Sequence, residues 1–338
     1  MNALREAQPI SVTPGGYVTR NDQEGGGQTM TDPTATQETA VLERFRRADH
    51  FHGTFPLAAN RVHSHAECRV HTHEFSELVI VLRGRGLHIA PGASWPIGAG
   101  DSFVLHGDQE HGYVDTADLD LVNIMFVPDE LALPSADIAS LPGYHVLFTL
   151  EPLFRQRDRF QSRLRMSQEQ LHRVEPLIGR LERELGERPA GWQYSALASF
   201  MLIVADLSRF YMETDAPAAQ PLQRLGRVIS YAERHFAETP SLDTLAEVGC
   251  MSRRTLSRLF REALGVTPIE YMVRLRIERA LEMLTTTDAS ISEIAYSLGY
   301  SDGNYFTRQF RSVTGRTPRE ARRITGHTLT SAALMRSQ

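Results

Sequence analysis

Apolar positions near the C-terminus follow helical spacing, and the whole pattern then occurs twice. In Asp302-Gly-Asn-Tyr-Phe-Thr-Arg-Gln-Phe310, Phe306 and Phe310 stand at i and i+4, so both rings share one face of a short helix. Asn304, Thr307, Arg308 and Arg311 fall elsewhere and form a polar, basic face. Ile291 to Gly299 reads as another short helix just before it, with small residues in the turn. Helix, tight turn and helix with a basic outer face predict a helix-turn-helix unit, whose second helix enters the DNA major groove. Upstream, Leu245-Ala246, Ser252, Leu256, Phe260 and Gly265-Val-Thr267-Pro268 recur as Ile294-Ala295, Ser301, Phe306, Phe310 and Gly315-Arg-Thr317-Pro318. The offset is 49 residues before the turn and 50 after it. Such a repeat predicts two units in tandem. Their recognition helices are expected at about Arg253 to Ala263 and from Asp302 onward, with Leu256, Leu259 and Phe260 on the core side of the first. Pro268 suits the first position of a connecting helix to Leu284. A rod of that length, about 25 Å, can set two recognition helices about one DNA turn apart.

Further upstream the period changes. From about Phe51 to Val127 short apolar runs alternate with turn residues, which predicts a β-sandwich or barrel. Glu77 to Leu82 reads as a buried strand, Gly84 to Gly86 as a turn and Leu87 to Ala90 as the next strand. Ser102 to Leu105 and Leu119 to Val127 follow. Val41 to Phe45 is expected to close this domain as a turn of helix or a strand. Ser167-Gln-Glu-Gln170 makes a capping box. Leu171, Val174, Ile178, Leu181 and Leu185 then step by 3, 4, 3 and 4, a narrow seam of coiled-coil type. Pro176 inside it predicts a kink or a later start. A partner helix is expected from Trp192 to Tyr211, carrying Leu197, Phe200, Met201 and Val204. The fold class is therefore α+β. Its expected domains are a disordered tail over 1–40, a barrel over 41–165, a helical hairpin over 166–212, a linker over 213–221, a helix-turn-helix domain over 222–326 and a tail over 327–338.

Charge sharpens this division. Net charge is -5, and all 36 basic residues are Arg. Residues 222–326 hold 16 Arg against 12 Asp and Glu, a net of +4, which leaves -9 on the rest. A basic module behind an acidic partner suits selective DNA binding. Cys68 and Cys250 form no metal or redox pattern, as expected in a reducing cytosol. No apolar run is long enough for a membrane span, and the N-terminus has no signal-peptide apolar region. The expected location is cytoplasmic.

The strand region also carries candidate chemistry. His71-Thr-His73-Glu-Phe-Ser-Glu77, followed after six residues by Gly84, resembles the first cupin motif. Gly100-Asp101, then His111 and Asp115, resembles the second imperfectly, with His106 near the usual Pro and Asp115 in place of Asn. Like parity on a strand lets His71, His73 and Glu77 point into one barrel, with His111 joining from the facing sheet. Three imidazoles and a carboxylate can ligate Zn, Fe, Mn or Ni. They can equally bond a sugar hydroxyl, or satisfy one another in the core.

The paired units over about Leu222 to Ile324 resemble the DNA-binding domain of the AraC/XylS transcription regulators. Within the barrel, His71 to Ile89, Gly100 to Phe103, His106 to Tyr113 and Asp120 to Ile124 look like the L-rhamnose-responsive regulators of that family. The resemblance implies a sequence-specific activator that binds double-stranded DNA, dimerises through the helical hairpin, contacts RNA polymerase and answers to a small sugar. It implies an effector site at His71, His73, Glu77, His111 and Tyr113, with no catalysis. By motif position, Arg254, Ser257, Arg258, Asn304, Thr307 and Arg308 are expected to read bases, and Arg253, Arg261 and Arg311 to clamp phosphates. Two other readings stand beside it: a metal-dependent cupin enzyme, such as an isomerase or dioxygenase, fused to a DNA-binding domain, and a constitutive architectural binder.

Overall fold

The computed structural model describes residues 42–131, 135–155 and 164–324; the expected N-terminal and C-terminal tails lie outside these. The chain opens with β1 (Glu43–Phe45), α1 (Arg47–His50) and β2 (Leu57–Val62). Five strands follow: β3 (Cys68–His73), β4 (Ser76–Ala90), β5 (Ala93–Gly98), β6 (Asp101–Leu105) and β7 (His111–Phe126). Next come α2 (Ser135–Ile138), α3 (Pro142–His145), a π-turn at Val146–Leu150 and α4 (Glu151–Arg155). Beyond β8 (Leu164–Arg165) the chain is helical: α5 (Gln168–Glu187), α6 (Trp192–Glu213) and α7 (Gln220–Arg234), then α8 (Leu242–Val248) and α9 (Arg253–Leu264). It continues through α10 (Pro268–Thr286), α11 (Ile291–Ser297) and α12 (Gly303–Thr314).

The chain divides into two compact units. One joins residues 1–133 with 155–206; the other joins 134–154 with 207–338. The expected barrel domain ran unbroken over 41–165, so the second unit takes a piece from inside it.

The first unit is a cupin-like barrel with a helical hairpin. Its eight strands form one curled sheet in the order β1-β3-β7-β4-β6-β8, with β2 added to β7 and β5 to β4. Leu78, Val79, Ile80 and Val81 are all fully buried, as a continuous apolar run covered on both faces should be. Val79, Val81, Phe103, Leu105, Leu119 and Leu121 fill the barrel core. The expected turn at Gly84 to Gly86 is absent. Instead β4 runs on for 15 residues and pairs with β7 through three register shifts between Val81 and Leu87. Gly84 sits at φ +75, where an added Cβ would lie 2.0 Å from the Asp118 carbonyl oxygen. A bulge at a glycine bends the strand without ending it.

The hairpin seam is spent within the chain. Val174, Ile178 and Leu181 are fully buried and Leu185 nearly so. α5 lies along β2, and Arg61 holds Glu182 with two 2.9 Å bonds. The seam read as a dimer surface is thus a packing surface: its spacing marks a stripe to be covered without naming the cover. α5 keeps its capping box at Ser167 and Gln170 and continues through Pro176. α6 is apolar and long enough to cross a bilayer, but half of that window is buried inside the fold.

The second unit is built on α7. Leu222, Leu225, Val228, Ile229 and Ala232 face inward. α3 comes so close that a Cβ on Gly226 would lie 2.6 Å from the Pro142 carbonyl oxygen. A Cβ on Gly143 would lie 1.8 Å from that of Ser208. Ser230 Oγ donates to the Ser140 carbonyl at 2.6 Å. The expected linker is shorter than read: α6 extends to Glu213, and Gln223 Nε2 bonds the carbonyls of Tyr211 and Thr214. α8 with α9, and α11 with α12, are the two helix-turn-helix units. Ser241, Ser252, Thr267 and Ser290 cap the helices that follow them. Asp302, not Ser301, caps α12, its carboxylate accepting from the Asn304 amide at 2.8 Å.

Candidate effector pocket and nucleic-acid interface

β3 and β7 bring the barrel histidines together. His71 and His111 are register partners, and His73 shares the face of His71 two residues on. His73, Glu77 and His111 are 1%, 5% and 0% exposed. His73 Nε2 and His111 Nε2 stand 3.6 and 3.7 Å from Glu77 Oε2. The donor atoms of these three lie within 4.8 Å of one another, a spacing able to hold a metal ion. Burial pushes the Glu77 carboxyl up, but His111 and His73 together outweigh it and hold the group well below the usual carboxylate range. His71 stays outside this set. Its Nδ1 donates to the Arg69 carbonyl at 2.9 Å, and its ring lies 4.3 Å from His111. Burial, helped by the neighbouring His111, lowers its pKa to about 4, so it stands neutral at physiological pH. Tyr113 packs beyond, against His65 and His88 at 4.8 and 5.3 Å.

A cavity of about 220 Å³ opens beside this cluster. His88, Trp95, Leu105, Asp108, Gln109, Glu110 and His111 are among its lining residues. Of the expected effector residues, only His111 reaches it. His88 and Trp95 were not expected, for a physical reason. Strict alternation from Glu77 puts His88 on the opposite face of β4, but the register shifts intervene, and His88 stacks on His111 at 5.7 Å. The one available signal was a lone polar residue between Leu87 and Ile89 in an apolar strand.

In the second unit both recognition helices present the expected polar faces. Leu256, Leu259 and Phe260 of α9 are buried, while Arg253, Arg254, Arg258 and Arg261 are exposed and Ser257 half-exposed. Arg253 is ion-paired to Asp243, and Arg258 to Glu262 at 2.8 Å. In α12, Phe306 and Phe310 are fully buried, with Asn304, Arg308 and Arg311 exposed. Thr307 Oγ1 donates back to the Gly303 carbonyl at 2.8 Å. The Arg308 guanidinium lies 5.8 Å over the Tyr305 ring, itself 46% exposed. Tyr305 joins the polar face as an aromatic that spacing alone did not single out.

Two family models match the chain. The AraC-like ligand binding domain covers residues 52–199 and a helix-turn-helix domain covers 245–324. The chain is 34% identical to the HTH-type transcriptional activator RhaS of Escherichia fergusonii over 258 residues, 75% of this chain and 86% of that protein. It is 32% identical to the HTH-type transcriptional activator RhaR of Enterobacter sp. strain 638, over 73% of this chain and 84% of that protein. Among solved structures, it resembles a transcriptional regulator with an AraC-type DNA-binding domain from Chromobacterium violaceum. That match is 37% identical with a TM-score of 0.29, over 29% of this chain and 88% of the other.

Proposed function

This chain belongs to the AraC family of transcription regulators, with a sensor domain ahead of a helix-turn-helix DNA-binding domain, and we propose that its sensor answers to a small sugar held in the mouth of the barrel. The observation that carries this reading is the lining of the cavity. Trp95 and His88 offer ring surface, while Asp108, Glu110 and Gln109 bring polar groups. A sugar has the matching character: apolar C–H faces that stack on rings, and hydroxyls that both donate and accept. His71, His73, Glu77 and Tyr113 do not line the cavity, and His73 and Glu77 adjoin it through His111.

The output is activation of transcription in the cytoplasm, with RNA polymerase as protein partner and no catalytic step. Arg254, Ser257, Arg258, Asn304, Thr307 and Arg308 read bases in two successive major grooves; Arg253, Arg261 and Arg311 hold phosphates. The chain works as a homodimer. The surface for it is the outer face of α6, where Tyr194, Ala198 and Leu202 recur every four residues and are exposed. A panel of deoxy and common aldoses tests the sensor. A sugar that binds only the folded chain raises its melting temperature by mass action, and Trp95→Ala should abolish the rise. No shift with any member of the panel would sink the sugar reading.

A further inference from the structure

Of the three buried donors beside the cavity, the two histidines have a tautomer imposed on them. His73 Nδ1 faces the Phe75 carbonyl at 2.6 Å, and His111 Nδ1 faces the Gln109 carbonyl at 3.0 Å. A ring nitrogen facing a carbonyl must carry the proton, so in each neutral ring Nε2 is left with its lone pair. Both Nε2 atoms are buried without a hydrogen-bond partner, and both are aimed at Glu77 Oε2. With both rings neutral, two lone pairs and a carboxylate would converge in an apolar barrel, so positive charge is needed between them, either the imidazole protons that hold Glu77 low or a metal cation. The separations of 3.6 and 3.7 Å are long for hydrogen bonds. They lie close to the spacing of two ligands on one ion, roughly 3.0 to 3.4 Å when each bond is about 2.1 Å. Backbone carbonyls on the far nitrogens are also the usual partners of metal-bound imidazoles.

We propose that His73, Glu77 and His111 hold a divalent transition metal ion, and that hydroxyl oxygens of the effector complete its coordination. Imidazole with carboxylate suits zinc, iron, manganese or nickel over calcium or magnesium. Three protein ligands leave positions for others, and His111 both belongs to the set and lines the cavity. A sugar seated there brings adjacent hydroxyls to the ion. His71 is the part of the cupin-like motif that stays out: its Nδ1 is tied to Arg69, and its ring packs between Phe45 and His111. It is a packing neighbour. The second half of the proposal rests on the sugar reading above; the first half does not.

The test uses the full chain, purified without a histidine tag, stripped with chelator and titrated with cobalt(II). The wild type should bind one equivalent with visible absorption bands. Glu77→Gln and His111→Ala should weaken binding by at least about a hundredfold. His71→Ala and Trp95→Ala should bind as the wild type does. Far-ultraviolet circular dichroism of each stripped variant separates loss of ligands from loss of fold, and the near-isosteric Glu77→Gln serves if His111→Ala unfolds. Equal binding by the wild type and the folded Glu77→Gln chain would overturn the site. The sugar-induced melting shift is then measured with and without metal. A shift that survives stripping overturns coordination of the effector and leaves the site intact. Metal binding with no shift for any sugar defeats the sugar reading and effector coordination with it, and leaves the metal site standing.

Discussion

The two helix-turn-helix units share a core and differ in what they do with their charges. Leu245, Ala246, Leu256 and Phe260 in the first correspond to Ile294, Ala295, Phe306 and Phe310 in the second, and all are buried. Both units leave through a left-handed glycine, Gly265 and Gly315, into a threonine cap. On the outer face they part. α9 engages two of its four arginines within the chain: Arg253 with Asp243, and Arg258 with Glu262. In α12, Arg308 rests on Tyr305 with no ion pair among the described residues. A base contact by Arg258 must first displace a carboxylate, whereas Arg308 is available. The second difference lies in the turn. One backbone position is left-handed in both units, occupied by Gly299 at φ +83 and by Cys250 at φ +49. Glycine is required in one and merely preferred in the other, because only Gly299 is pressed against another segment.

The largest expected effect tests that last statement. A Cβ on Gly299 would lie 2.0 Å from the Ala237 carbonyl oxygen. Gly299→Ala should therefore cost about 2–5 kcal/mol, adding a left-handed penalty to a forced backbone shift. Cys250→Ala should fall within about 0.5 kcal/mol, since that residue already bears its backbone strain. Urea denaturation of both variants makes the comparison; equal losses would show that the two turns are equivalent.

A smaller pair of effects tests the outer faces. Arg308→Ala should cost about 1–3 kcal/mol on the cognate operator and relax one base position. Arg258→Ala should cost less and relax a position about 10 base pairs away. Glu262→Gln, which frees Arg258, should tighten binding by up to about 1 kcal/mol. Arg311→Ala should weaken all sequences alike and flatten the log–log salt slope by roughly 0.9. Salt-dependent titrations on a randomised operator library measure these together. If Arg258 and Arg308 relax the same base, the two helices do not read separate grooves.

What the sequence made legible follows the same divide between local and non-local causes. The tandem repeat could be read because caps, core spacing and exit glycines are local, and they recur. His71 and His73 could be placed on one face because parity on a strand is local too, but Glu77 and His111 come from β4 and β7, and His111 joins from the strand paired with β3 rather than from a facing sheet. His88 escaped because the shifts that turn it inward depend on how β4 pairs with β7. The segment from Pro142 to Leu150 escaped because it has no period to detect. Val146, Leu147 and Leu150 are all fully buried around a π-turn. Its place in the second unit comes from glycine contacts at Gly143 and Gly226 with distant backbone. The stripe on α5 was visible, with a dimer seam and packing on the barrel as its two readings, but not which of the two covers it.

The smallest prediction concerns the residue that the comparison leaves strained. Cys250 holds φ +49 in the turn between α8 and α9, and its thiol is exposed. A non-glycine residue there costs about 1–2 kcal/mol relative to one without a Cβ. Cys250→Gly removes that cost and sacrifices little packing, because the side chain touches solvent. It also loosens the unfolded chain, which returns about 0.5–1 kcal/mol of the gain. The net should be a stabilisation of up to about 1.5 kcal/mol, since the folded-state relief is at least as large as the unfolded-state loss. The hydrogen bond from the Met251 amide to the Ala246 carbonyl, 2.9 Å, should persist, because it matches the one from Tyr300 to Ala295 at 3.0 Å around Gly299. A urea midpoint that rises with an unchanged slope is the expected result. A fall would mean that Cys250 contributes a contact that its exposure does not reveal, and that the two turns are less alike than their backbones.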